Sequence, residues 1–323
     1  MKTKGFVIIP ILLILAVIFV GLYFAVKNNF INLSSIKNVI TTATNTPEPT
    51  AVPTLSPSPS PLPTLAPTPI PTIKPVVTPK PTLSPVSGPP GSGLSTINVA
   101  TEKGNFKATV LSLDLSSTKV ITDSANDNDC GNECAVSSLQ AFIVKNGGFA
   151  GVNGTYFCPS AYPECAGKTN SFDFPVYSTR LGHWINGGNL FWNSRAIMYF
   201  DGGGAHYMQN ASSFTGGLTA GIVNYPGLVN GGSVQIDDAQ SGLSDKQKSR
   251  GTKVGIGTRT GNNVMIVVAQ NVNMQEFAYV FKSLGATGAL NLDTGGSTAL
   301  VYGGRYVFGP GRDIPNAIIF ASK

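Results

Sequence analysis

The sequence predicts an α+β fold: a mixed β-sheet core with flanking helices over residues 95–323, preceded by one transmembrane helix and a Pro/Thr-rich stalk. Three observations carry this. Short apolar or alternating runs recur after residue 95, and two capped amphipathic segments interrupt them. Sixteen of the chain's 23 prolines lie between Thr46 and Gly93. Period-two alternation marks half-buried strands, a 3.6-residue period marks helices, and a Pro/Thr/Ser tract cannot bury a core.

Residues 1–30 read as the anchor. Gly5 to Val26 are 22 residues without a charge, and as a helix they would span roughly 33 Å, enough for a bilayer core. The run is longer than a signal-peptide core and lacks a small-residue cleavage site, so a signal anchor is expected in place of a cleaved signal. Lys2 and Lys4 before it, against Lys27 after it, favour a cytoplasmic N-terminus. The expected location is the cell membrane, single pass, with the C-terminal domain extracellular. Residues 31–94 are the linker; as an extended polyproline-type spacer their Pro-rich tract would reach up to roughly 130 Å.

The domain 95–323 follows. Strands are expected at "FKATVLSL" (106–113), "RAIMYF" (195–200), "NVMIVVA" (263–269), "GALNL" (288–292), "TALVY" (298–302) and "NAIIFA" (316–321), with a hairpin turning at Thr260–Asn263. One helix is expected from Glu133 to Lys145 with Asn132 as its N-cap. A second is expected from Met274 to Leu284, with Asn273 and Glu276 in capping-box positions and Gly285 beyond the end. Glu276 therefore reads as a cap and not as a catalyst. Each helix leads through a Gly-containing turn into a strand and then a polar loop, "NGTYF" in one case and "DTGGS" in the other. Ligands commonly sit at such strand ends, and the two loops are expected to meet there.

Charge narrows the partners. The whole chain is formally +6, but residues 95–323 hold 16 basic and 15 acidic side chains, without a basic stripe interleaved with aromatics. Nucleic acid is not an expected partner. Cys130, Cys134, Cys158 and Cys165 fall within 36 residues of the exported part. Their spacing is not that of a zinc ribbon, so two disulfides are expected, with three connectivities open. No metal and no cofactor is expected.

Asp293 is the leading catalytic candidate. It follows an apolar strand, and Gly295 and Gly296 beyond it let a ligand approach the main chain, while Ser297 and Thr298 add short donors. The same letters, Asp-Thr-Gly, occur in aspartic proteases, but those enzymes need two such carboxylates and the chain has one such segment. In "GVNGTYFCP", Asn153 suits sugar hydroxyls and Tyr156 or Phe157 suits a ring face, with Gly154 between them. Arg250 and Arg312 stand beside Gly-rich loops, where a guanidinium fork fits phosphate oxygens. His183 and His206 lack metal-ligand partners at useful spacing and read as structural. Asp201 and the Asp237-Asp238 pair read as turn residues, with Asp201 also a candidate second carboxylate.

Taken in order, "GVNGTYF", "GLVNGGSV" (227–234), "SRGTKVGIGTRTGNNVMIVV" (249–268), "NMQEFAYVFKSLGATGALNLDTGGSTALVYGG" (273–304) and "GRDIPNAIIF" (311–320) resemble the phosphodiester glycosidase family. The resemblance implies catalytic roles for Asp293 and Arg250. It implies substrate contacts from Asn153, Gly154, Phe157, Gly295, Gly296, Ser297 and Arg312, to which the reading of the residues adds Tyr156 and Thr298. It also implies an extracellular enzyme that cleaves a sugar-1-phosphodiester, with a carbohydrate or sugar-phosphate substrate drawn from exopolysaccharide or cell-wall glycan. Thr294 stands where the family loop carries a glycine, and "RGTKVGIG" is one residue longer than the family pattern. The alternative is a non-catalytic, wall-associated glycan-binding module held on the same stalk.

Overall fold

The computed structural model describes residues 88–191, 195–239 and 242–323, and three sheets account for most of them. The first has seven strands in the order β1 (Gly93–Thr101), β2 (Gly104–Asp114), β13 (Asn263–Val272), β12 (Gly251–Arg259), β14 (Gly288–Asn291), β10 (Gly227–Asn230) and β11 (Ser233–Val234). The second runs β16 (Arg305–Phe308), β15 (Leu300–Tyr302), β4 (Ala150–Asn153), β17 (Asn316–Ser322) and β3 (Thr118–Ser124). The third runs β6 (His183–Ile185), β5 (Val176–Ser178), β9 (Ala220–Asn224), β7 (Ala196–Asp201) and β8 (Gly204–Met208). Strands are numbered in chain order.

The expected mixed sheet is corrected: each strand pairing among the described residues is antiparallel. Neighbouring strands in space are joined by hairpins, such as β12–β13 at Asn262, or come from distant parts of the chain, such as β4 between β15 and β17. Helices are few. Among the described residues the α-helices are α1 (Leu139–Lys145), the single turn α2 (Asp245–Lys248) and α3 (Met274–Ser283). The domain is sheet-dominated.

Its layers follow from the alternation of side chains. One face of the seven-stranded sheet turns Leu111, Leu113, Ile256, Ile266 and Leu290 toward Val152 and Ile318 of the second sheet and Ile222 and Met198 of the third. Apolar area removed from water stabilises each contact by about 25 cal/mol per Å². The opposite face turns Val110, Met265 and Val267 toward Phe277, Val280 and Phe281 of α3. On the outer side of the second sheet, Leu139, Phe142 and Ile143 of α1 pack on Val301, Ile319 and Ile121.

α3 begins where its capping box places it: Glu276 N–H donates to the Asn273 side chain at 2.8 Å, and Asn273 N–H donates to Glu276 Oε2 at 2.9 Å. α1 is shorter than expected. A disulfide joins Cys130 to Cys134, Glu133 holds a left-handed φ of 52°, and Ser137 bridges to Ile314. Those constraints keep 130–137 out of the helix, and Ser138 is its cap in place of Asn132. Among the described residues no helix is long and apolar enough to cross a membrane. The expected anchor and all of the expected linker before residue 88 lie outside the described residues.

Candidate active site

The loops after β4 and β14 meet, and four buried asparagines hold them. Asn153 ends β4, Asn224 ends β9, Asn291 ends β14 and Asn316 begins β17, each fully buried. Asp293 N–H donates to Gly154 O at 2.9 Å, and Asn153 Nδ2 donates to Asp293 O at 2.7 Å. Asn153 Oδ1 accepts from Ala299 N–H at 3.0 Å, which closes the Asp293–Thr298 loop from its other end. Asn316 takes Thr155 N–H on its Oδ1 and gives its Nδ2 to Thr155 Oγ1, both at 2.9 Å. Asn224 Nδ2 donates to Asn291 O at 2.8 Å, and Asn224 Oδ1 accepts from Tyr156 N–H at 3.3 Å. An amide both donates and accepts, so each of these three uses both ends to tie its strand end to the loops beyond the ladders. Gly154 lies against Asn316, whose Oδ1 and backbone O would collide with any Cβ there.

Above this floor lies a cavity of about 410 Å³. Asp293 and Ser297 come from the loop after β14, Tyr156, Phe157 and Tyr162 from the segment after β4, and Tyr225 from the turn after β9. Lys246 and Gln247 come from α2, and Arg195 and Arg312 complete the wall. Asp293 is the one carboxylate among the described residues that line it. It is only 7% exposed, and burial pushes its carboxyl up to about 7. The Ser297 hydroxyl, the Thr294 N–H at 2.9 Å and the charge of Arg312 oppose that rise. Tyr156 is pushed up to about 12, chiefly by burial, although its hydroxyl accepts from Asn291 Nδ2 at 2.8 Å and Gln247 Nε2 at 3.4 Å. It is therefore a neutral phenol beside Asp293.

Three cations line the cavity with this carboxylate, each laid on an aromatic ring. Arg312 lies 5.1 Å and Lys246 Nζ 4.5 Å from the Tyr162 centroid, and Arg195 lies 5.0 Å from Phe174 and 5.5 Å from Tyr225. Ring quadrupoles hold such groups without neutralising them. Arg312 packs against Gly296, where a Cβ would strike its Nη2. Its Nη2 donates to Tyr162 OH at 3.4 Å, while its buried Nη1 has no hydrogen-bond partner among the described residues. The disulfide Cys158–Cys165 closes the loop that carries Pro159 and Tyr162. The cavity thus joins three cationic side chains, ring faces and one carboxyl poised near neutrality, a set that suits an anionic ligand with an apolar face.

The residues singled out in the sequence divide into two groups. Asp293, Tyr156, Phe157, Ser297 and Arg312 line the cavity. Asn153, Gly154, Gly295 and Thr298 do not line it; they support the loop, Thr298 N–H donating to Gly295 O at 3.1 Å. Asn153, expected to meet sugar hydroxyls, spends both ends of its amide on the main chain. Arg250 is also outside: its Nη2 pairs with Glu276 and its Nη1 donates to Asn271 O at 3.2 Å, at the N-terminus of α3. β12 pairs with β13 through a bulge between Gly251 and Lys253, and it is β13 that carries the additional residue there, with Asn271 at a left-handed φ of 55°. Asp201 is not a second carboxylate here, since it lies in the β7–β8 hairpin with His206 Nε2 at 2.9 Å. His183 Nε2 lies 3.1 Å from Asp127 O. The cysteines pair in sequence order, 130 with 134 and 158 with 165.

Sequence reasoning missed Tyr162, Arg195, Lys246, Gln247 and the three further asparagines. The asparagines had a signal: each ends or begins an apolar run, as Asn153 does.

A family model for phosphodiester glycosidases matches residues 146–321. A comparison with curated protein sequences gave no match. Among solved structures, the zebrafish N-acetylglucosamine-1-phosphodiester α-N-acetylglucosaminidase catalytic domain, auto-inhibited by its pro-peptide, superposes with a TM-score of 0.55 at 15% identity, covering 74% of this chain and 86% of that one. A hypothetical protein from Synechocystis gives a TM-score of 0.53 at 16% identity over 72% of this chain, which spans 62% of that protein's length. These two likenesses are likenesses of fold.

Proposed function

We propose a reaction for this cavity from one premise: the chain belongs to the phosphodiester glycosidase family. The reading is hydrolysis of a sugar-1-phosphodiester, of the GlcNAc-1-phosphodiester type that the zebrafish protein's name states. The bond between the anomeric carbon and the phosphodiester oxygen breaks, water supplies the new hydroxyl, and the products are free sugar and a phosphomonoester. The observation that carries this reading is Asp293, a lone buried carboxyl that lines one cavity with Arg312, whose charge acts on it.

A glycosidase usually needs a second carboxyl group to protonate an alkoxide. Here the group expelled from the anomeric carbon is a phosphomonoester, a stable anion, so its departure needs positive charge more than a proton. Arg312, with Lys246 and Arg195 on the same wall, supplies that charge. The ionised Asp293 serves the anomeric centre as base toward water or as nucleophile, and the configuration of the released sugar distinguishes the two roles. The aromatic walls at Tyr156, Phe157 and Tyr225 suit the sugar's ring faces. Gly5–Val26 and the proline tract support an enzyme held outside the cell membrane, acting on exopolysaccharide or cell-wall glycan.

The test is release of free sugar from methyl GlcNAc-1-phosphodiester by the full-length chain. Asp293→Asn should lower kcat by about 10³-fold or more while the dissociation constant changes by less than about threefold. Equal losses in both would remove Asp293 from the chemistry. Tight glycan binding without turnover would favour a binding module.

A further inference from the structure

The third sheet has an outer face that the proposed chemistry does not use. Val176, Ile185, Met198 and Ile222 turn inward to the core, so the residues that alternate with them point out. Cross-strand pairing sets five outward positions in one row over all five strands. Trp184 stands opposite Tyr177, Tyr177 opposite Gly221, Gly221 opposite Tyr199, and Tyr199 opposite His206. Four of the five carry rings. We infer that this row is a second binding site, separate from the cavity, for an uncharged polysaccharide chain. Binding stands on the row alone; that the row holds a polymer whose sugar phosphate enters the cavity rests on the proposed reaction.

The rings form one continuous series. The Tyr177 and Trp184 centroids are 5.6 Å apart, Trp184 and Phe214 6.1 Å, Phe214 and Tyr199 4.9 Å, and Tyr199 stacks on His206 at 4.8 Å. Phe214, from the segment beyond β8, thus bridges the step in the row at Gly221. Glycine there admits the indole, because a Cβ would lie 2.6 Å from Leu218 Cδ1 and 3.2 Å from Trp184 Cη2. Strands about 4.8 Å apart put the ends of the row about 19 Å apart, room for several sugar units. The cavity is near along the strands. Tyr177 is three residues from Phe174, and Gly221 three from Asn224, about 10 Å at the rise of a strand. Phe174 lines the cavity and belongs with Trp184, Tyr199 and Phe214 to one apolar cluster around Ile197 and Val223. Ring surface therefore continues from the row to the cavity wall.

What the rings leave open decides the ligand. Among the described residues the Tyr177 and Tyr199 hydroxyls and the Trp184 indole N–H make no hydrogen bond, and none of the three is buried without a partner. Each therefore reaches solvent, while the ring bodies are only partly exposed. A packed satellite core would bury or pair those tips. Apolar bodies with wet polar tips match a sugar, which presents C–H faces and hydroxyls together. The imidazole of the row is held by Asp201, Nε2 to Oδ1 at 2.9 Å, so the row itself offers an anionic polymer or headgroup no unpaired cation. A bilayer would also need protruding apolar side chains. The most exposed large ones among the described residues, Leu94, Ile97 and Val144, lie on β1 and α1.

The test uses neutral oligosaccharides without phosphate, so it does not depend on turnover. Calorimetric titration of the full-length chain with β-1,4-linked hexamers of GlcNAc and of glucose should show at least one binding with a Kd of about 0.1–1 mM. The matching monosaccharide should bind at least about tenfold more weakly. Trp184→Ala should weaken the hexamer about tenfold or more, with its melting curve as the check on folding. Tyr177→Phe and His206→Ala, which spare the core, should each weaken it about threefold. Asp293→Asn and Arg312→Met, in the cavity, should leave the hexamer Kd unchanged. Binding of neither hexamer, equal binding of the monosaccharide, or full affinity in Tyr177→Phe and His206→Ala would overturn the site. So would a loss in the cavity variants as large as in Trp184→Ala. Tighter binding of polygalacturonate would overturn the uncharged class, and binding of phosphatidylcholine vesicles in place of the hexamers would assign the row to a membrane. Sugar release from the methyl diester judges the reaction separately. Turnover without hexamer binding would leave the reaction standing and remove the site; hexamer binding without turnover would do the reverse.

Discussion

Asp293 is governed by two opposed influences, burial that favours its neutral form and three neighbours that favour its charge. With its pKa near 7 in the folded chain and about 4 unfolded, the native state holds a proton that the unfolded chain has lost between those values. Stability from this group is therefore full below about pH 4 and falls as pH rises toward 7. Asp293→Asn removes that slope, so the melting temperature of the variant should gain on that of the parent from pH 4 to pH 8. The same value sets activity. If the ionised carboxylate acts, kcat/KM should rise with pH through about 7 and then level. Arg312 lowers the value through its charge, so Arg312→Met should carry this limb to higher pH along with its loss of substrate affinity. A limb that stays in place would put Arg312 outside the field of Asp293.

At the scale of elements, the buried asparagines are joints. Asn153→Ala would strip a donor from the Asp293 carbonyl and an acceptor from the Ala299 N–H, both in a dry interior. Each orphaned group costs about 1–3 kcal/mol, so urea unfolding should show a loss of roughly 2–5 kcal/mol, with lower kcat because the Asp293 loop is released. A loss under about 0.5 kcal/mol would mean that water fills the joint. These joints also show what the sequence could reveal. The capped helix α3, the β12–β13 hairpin and the two strand-to-polar-loop transitions were legible because periodicity, capping residues and turn residues are local signals. Polar strands were not: β3 reads "TKVITDS", yet Thr118, Thr122, Asp123 and Ser124 are all buried, Asp123 beside Lys145 and Arg180. Their burial depends on partners far along the chain. Arg250 is the converse case. Its neighbourhood resembled a site, but the Glu276 that faces it comes from the capping box of α3, which the linear pattern around Arg250 does not contain. Lys246 and Tyr162 stack only because α2 and a disulfide-closed loop fold toward each other across distant segments.

At the scale of the molecule, charge is arranged and not accumulated. Residues 95–323 are nearly neutral, with 16 basic and 15 acidic side chains, so the domain as a whole exerts little long-range pull on an anion. Within the cavity the balance is three cations, Arg195, Lys246 and Arg312, to one carboxyl that is itself half neutral near pH 7. The attraction is thus local, reaching only about a Debye length of 8–10 Å at ordinary salt. Two consequences follow for a phosphodiester substrate. Association should resist modest changes in ionic strength far more than a basic nucleic-acid binder does, because few counterions are displaced. Held contact with the phosphate should still weaken as salt competes at Arg312 and Lys246, the two cations that share Tyr162. Raising salt from about 0.05 to 0.5 M should therefore increase KM for the methyl GlcNAc-1-phosphodiester by about two- to fivefold with kcat nearly constant, while inhibition by free GlcNAc stays unchanged. Steady-state kinetics at fixed pH measures all three quantities. A fall in kcat with constant KM would place the salt effect on Asp293 and the transition state; an equal effect on free GlcNAc would mean that the cations do not discriminate the phosphate from the sugar.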